Sequence, residues 1–169
     1  MAETNLHNYS VQEKLNKMDI DLIDVEPTVD ISAYTAADLM FEPVEIENAV
    51  SVNGGAAILQ SIAVANDDAL VGAFDLVFTA SNDSPGTLNN AIAGESGLSD
   101  ASADSILGIT SISNMVDVGG CSIGSKSNIG LVIKAPSGSK SIYAFGIAQS
   151  TDNPTATTGY KLRIGIIKD

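Results

Sequence analysis

Apolar and polar residues alternate with a period of two over much of this chain. Between Val52 and Thr79, Ile58, Ile62 and Val64 fall on one parity with Gln60 as the break, and Phe74, Leu76 and Phe78 repeat the alternation after a short acidic connection. Successive side chains of a strand point to opposite faces, so this pattern predicts two half-buried strands. Upstream, Val44, Ile46, Val50 and Val52 share a parity against Glu45, Glu47 and Ser51, with Pro43 at the entry, and Ala33 to Phe41 is expected to form a strand before them.

The second half repeats this grammar. Ile109 to Ile112 and Met115 to Val118 are short strand candidates, and Ile129, Leu131 and Ile133 alternate with Gly130, Val132 and Lys134. After a turn at Ala135 to Ser139, Lys140 to Gln149 places Tyr143, Phe145 and Ile147 on one face, while Ala144, Gly146 and Ala148 on the other permit close sheet packing. Tyr160, Leu162, Ile164 and Ile166 oppose Lys161, Arg163 and Gly165 in the last strand. Between these halves lies a long Asn-, Asp-, Ser- and Gly-rich excursion from Ser81 to Ser105, in which Ser99 or Asp100 caps a single helical turn carrying Ile106 and Leu107 and ended by Gly108. About seven to nine short strands with little helix make the expected fold an antiparallel β-sandwich, of which the jelly roll is one form open to it.

Residues 1 to 28 differ from the rest. They carry more charge and no glycine, and they read as an N-terminal arm before a sandwich domain of residues 29 to 169. Ser10 and Glu13 fit a capping box, and Val11, Leu15, Met18 and Leu22 recur at helical spacing. Equally, Asp19, Asp21 and Asp24 alternate with Ile20, Leu22, Ile23 and Val25 as an extended strand would, and Pro27 stops either element. Such an arm is expected to be ordered by a partner, so that its deletion spares the fold. Leu15, Met18, Leu22 and Ile23 are the expected partner contacts.

With 169 residues and 44% hydrophobic content, the chain suffices for one domain with an appendage. A net charge of -13 argues against nucleic-acid binding, which needs a basic face. No run of about 18 apolar residues suggests a membrane partner. The first residues lack a signal-peptide pattern, so synthesis in the cytoplasm is expected.

Candidate chemistry is sparse. His7 is the only histidine and sits in the polar arm, and Cys121, the only cysteine, has no basic neighbour before Lys126 to activate it. Glu95, Asp100 and Asp104, and separately Asn66, Asp67 and Asp68, form acidic loop clusters that could hold Ca²⁺, but without the spacing of a calcium loop, and solvated loops are the favoured reading. Sugar-cleaving carboxylate pairs usually come with aromatic platforms, and there is no Trp. Gly119 to Ser127 lacks the strand-to-helix context of a phosphate loop and reads as a hairpin turn. No catalytic residue, metal or cofactor is expected, and the protein is read as a non-enzyme.

The order of elements resembles small virion structural proteins of tailed bacteriophages, including those of cyanobacterial hosts. The resemblance runs from about residue 30 to 169 and is carried by Val44 to Ala49 ahead of Gly54-Gly55, Ile58 to Ile62 followed by Phe74 to Phe78, the Asp- and Ser-rich stretch before Ile106-Leu107-Gly108, Ser141 to Phe145, and Tyr160 to Ile166. It implies a capsid decoration or cement protein bridging subunits of the major capsid protein in the virion, as a homo-oligomer with a trimer favoured. The runner-up is a head or tail fibre module contacting the host surface, through the Ser81 to Ser105 loop.

Overall fold

The computed structural model describes residues 19–92 and 98–168. Nine strands run in chain order as β1 (Asp19–Val25), β2 (Leu39–Ile46), β3 (Ala56–Asn66), β4 (Phe74–Thr79), β5 (Ile106–Ile112), β6 (Val116–Asp117), β7 (Ser122–Lys134), β8 (Ile142–Ala148) and β9 (Tyr160–Lys168), with one short helix, α1 (Asp100–Ala103), before β5. They form two antiparallel sheets, ordered β1-β9-β3-β7-β6 and β2-β8-β4-β5. Setting aside the two-residue β6, the chain pairs as a doubled ribbon: β1 with β9, β2 with β8, β3 with β7 and β4 with β5. Rolling that ribbon up adds the β3–β9 and β4–β8 pairs. This is a jelly-roll sandwich.

The core lies between the sheets. Ile62, Val64, Leu162, Ile164 and Ile166 from the five-stranded sheet meet Phe41, Ile46, Phe74, Leu76 and Phe78 from the four-stranded one, all fully buried. Tyr160 packs edge-on against Phe74, with ring centroids 6.0 Å apart. Gly146 faces the core, and the ring of Phe41 from the adjacent strand of the same sheet occupies the space a side chain there would need.

Several expected elements shift. Inward-facing Ala57 and Leu59 give way to Ile62, Val64 and Asn66 because a bulge between Leu59 and Ser61 inserts Gln60, so Ile58 faces out although it shares parity with Ile62. Pro43 sits within β2 at a register shift against β8, not at a strand entry; edge position and bulge together excuse its missing donor. Of Ala33 to Phe41 only the last three residues are strand, and β2 ends at Ile46, leaving Val50 buried beyond it and Val52 exposed. Ser99 caps α1 through its hydroxyl to the Ser102 N–H at 3.2 Å, but Ile106 and Leu107 belong to β5. The hairpin turn is confined to Val118–Cys121, where Gly119 and Gly120 take φ of 94° and 102°, and Ser122 to Ser127 is strand.

The arm boundary also moves. Asp19–Val25 pairs along its whole length with Leu162–Lys168, so the sandwich begins at Asp19 and the extended alternative holds for that half of the arm. The helix expected from Ser10, with Leu15 and Met18, lies outside the described residues.

Candidate interaction surface

The two sheets treat their outer faces differently. Outside the four-stranded sheet, Leu39, Val77 and Phe145 form a second buried cluster beneath Ile92, Leu98 and Ile147. The excursion after β4 builds that cover: Leu39 donates to Asn90 O at 2.9 Å, Asn89 to Leu39 O at 2.9 Å, and Ile92 to Ala37 O at 2.9 Å. Much of the expected free loop is therefore packing.

Outside the five-stranded sheet, no described residue provides such a cover. The strand registers line up rows of outward side chains across it. One row is Ile20, Ile167, Ile58 and Val132, contributed by β1, β9, β3 and β7 in turn. Neighbouring strands lie about 4.8 Å apart, so the row is about 14 Å of apolar surface. Ile20 is 66% exposed, Val132 65%, Ile58 39%, and Leu22 in the next row 64%. Scattered exposed apolar residues need no explanation, but a row aligned by register across four strands does.

Farther along this face a groove of about 900 Å³ opens over the small side chains Ala63 and Ala65. The registers place Asp24, Arg163, Ala63 and Ser125 in one row, and Lys161, Ala65, Ile123 and Val116 in the next. Arg163 grips Asp24 through two bonds, Nε to Oδ1 at 2.7 Å and Nη2 to Oδ2 at 3.1 Å, while Lys161 Nζ stands 3.7 Å from Asp67. The Arg163 bond holds the Asp24 carboxyl below its usual range. Both cations of the groove are thus already answered by acids of the same chain, and the exposed Val116 and Ile123 leave an apolar wall.

Of the expected partner contacts, Leu22 stands out from this face. Ile23 points inward and packs against the core, while Leu15 and Met18 lie outside the described residues. The residues overlooked in sequence are Ile58 and Val132, since only register reveals that they adjoin.

Elsewhere the polar groups serve the fold. Asn66 accepts the Asp68 N–H at 2.7 Å, and Asp68 in turn accepts the Thr155 N–H at 2.8 Å and hydroxyl, which lower its pKa. The buried Tyr34 donates to Met40 O at 2.8 Å and accepts the Asp30 N–H at 2.6 Å, and burial pushes its phenol up to about 12. Burial likewise raises Asp152, against hydrogen bonds from Gly72 N–H and Tyr160 that work the other way. These groups anchor loops at one end of the sandwich. Cys121 is half-buried in its turn. His7 and Glu95 lie outside the described residues, and among those described no group of three His, Cys, Asp or Glu could hold a metal. None of the described helices is long and apolar enough to cross a membrane. No protein-family model matches the chain, and no curated protein matches it in sequence.

Proposed function

We propose that this protein is a non-catalytic structural component of a tailed-phage virion, a decoration protein that seats the outer face of its five-stranded sheet on the shell of major capsid protein and works as a homo-oligomer, a trimer at positions of three-fold symmetry. One observation carries this reading. The centre of the four-stranded sheet, at Leu39, Val77 and Phe145, is roofed by Ile92 and Leu98, with Ile109 left exposed at the β5 edge, whereas the aligned row Ile20, Ile167, Ile58 and Val132 has no such cover among the described residues. A flat apolar row flanked by self-neutralised ion pairs suits docking on a protein surface, where desolvating unpaired charge would be costly. Jelly rolls recur in capsid and lectin domains, which is analogy at the level of fold and favours either a decoration or a receptor-binding role. The open face lies opposite Asn89 to Ile92 and Leu98, the described part of the excursion that packs on the four-stranded sheet, and this favours decoration.

Co-sedimentation with DNA-free capsids of the encoding phage tests the reading. Binding is expected, and Ile20→Glu or Val132→Glu should weaken it by about tenfold or more, the equivalent of about 1.4 kcal/mol. Failure to bind capsids at any ionic strength, together with binding to host cells, would replace decoration by receptor recognition.

A further inference from the structure

We propose that copies of this chain associate head to tail, the β1 edge of one copy adding to the open edge of β7 in the next so that the five-stranded sheet continues from copy to copy. The inference concerns self-association and stands whether or not the larger partner is a capsid.

Both edges are unpaired among the described residues. β6 covers β7 only at Ser122 and Ile123. At Ser125 the Asn114 side chain imitates a strand, donating to Ser125 O at 2.8 Å and accepting its N–H at 3.3 Å. From Leu131 to Lys134, and again at Ser127, β7 has a strand partner on the β3 side alone, while Asn128 to Gly130 bulge out of that ladder, with φ of 56° at Asn128 and 67° at Gly130. β1 pairs only with β9. The regular stretch Leu131–Lys134 and the edge of β1 are open templates for another strand.

The hydrogen-bond phase fits. The Ala135 N–H bonds Gly55 O at 3.0 Å. Bonded and non-bonded pairs alternate in antiparallel sheets, so Ile133 and Leu131 bond β3, while Val132 and Lys134 turn their backbone groups to the open edge. Carried through β3 and β9, the same alternation makes Asp19, Asp21 and Ile23 bond β9 and leaves Ile20 and Leu22 with outward N–H and C=O groups. A copy displaced along the sheet brings its β1 antiparallel to β7 with the same face outward. Setting Ile20 of that copy against Val132 creates a bonded pair, and the apolar row runs unbroken across the junction.

Charge weighs against the symmetric alternatives. β1 carries Asp19, Asp21 and Asp24, the last two paired with Lys168 and Arg163 of β9, whereas residues 118 to 151 contain Lys126, Lys134 and Lys140 and no acid, within a chain of net charge -13. Pairing β1 with β1 opposes aspartates, and β7 with β7 opposes lysines; only the head-to-tail contact joins unlike edges. Such a contact closes into a ring or grows as a filament, according to the rotation per copy.

Sedimentation velocity of the full chain and two edge variants tests this. Leu22→Pro and Val132→Pro each place proline where the N–H faces outward, so neither removes a bond within the sheet. The wild type should sediment as an oligomer, each variant alone as a monomer, and their equimolar mixture as a one-to-one dimer, because one retains an intact β7 edge and the other an intact β1 edge. A monomeric wild type, a mixture that stays monomeric, or an effect of only one variant would overturn the proposal. Should either proline variant lose its β circular-dichroism signal, Lys126→Glu with Lys134→Glu replaces it; both lysines are exposed and outside any ion pair among the described residues. About tenfold weaker association is expected of that double variant, and unchanged association would equally overturn the inference.

Discussion

The ring of Phe41 lies over Gly146 so closely that a Cβ built there would stand 2.7 Å from Cδ1 and 2.9 Å from Cζ. Both residues are buried, Phe41 on edge strand β2 and Gly146 on β8 beside it. The ring is buried within the core cluster, which leaves it little room to swing away. Gly146→Ala is therefore expected to destabilise by about 1–3 kcal/mol through overpacking, read as a lower midpoint in urea with an unchanged slope.

Leu59 and Ile58 are neighbours with opposite fates. Leu59 is fully buried, and Ile58 stands on the outer face because the Gln60 bulge resets the inward parity. Leu59→Ala should cost about 2–5 kcal/mol, in the range of buried leucine truncations, and Ile58→Ala under about 1 kcal/mol. Equal losses in chemical denaturation would mean that β3 runs without the bulge.

This pair also shows where the sequence was readable. Regular alternation in β4, β8 and β9 placed Leu76, Ala144 and Ile164 on the correct faces, because those strands pair with little interruption across their length. Parity failed where an extra residue enters the ladder, at Gln60 in β3, since a bulge inverts every side chain beyond it without a local signature, whereas Val44 and Ile46 keep their expected side against the exposed Glu45 and only the run of β2 back through Pro43 to Leu39 is hidden. The composition of Ser122 to Ser127 is that of a turn, and pairing with β3 overrides that preference. The apolar row was legible only residue by residue: Ile20 and Val132 lie far apart in the chain, and nothing short of the strand order reveals that they share a row.

Acid stability should reflect two opposed sets of carboxyls. Asp24, Asp30 and Asp68 have lowered pKa values, through hydrogen bonds from Arg163, Ser32 and Thr155 respectively, so the stability they contribute is present above about pH 3.9 and is lost as pH falls through their folded values. Asp152 is raised by burial, so its contribution is present below about pH 3.9 and is lost as pH rises through its folded value. Asp152→Asn removes the second effect. The gain in unfolding free energy between pH 4 and neutrality should be larger in the variant than in the wild type, as measured by urea denaturation across that window. A smaller gain would contradict the raised value.

Truncation separates the two halves of the arm. Lys168 is only 6% exposed at its side chain, and its ammonium group pairs with Asp21 of β1. Deleting residues 1–18 leaves that pair and all of β1 in place, and the thermal midpoint is expected to stay nearly unchanged. Deleting residues 1–28 strips the β9 edge, uncovers Ile164 and Ile166, and leaves a nearly buried ammonium without its carboxylate. Removing one member of a buried ion pair costs about 3–5 kcal/mol; the Asp21 side of this pair is 45% exposed, so its share should fall toward the lower end or below. Lost apolar burial adds to that. Asp21→Asn isolates the charge: it keeps β1 but weakens the partner, and should lower the midpoint by less than the longer deletion. If the longer deletion melted at the same temperature as the full chain, β1 would be a dispensable arm rather than a strand of the sandwich.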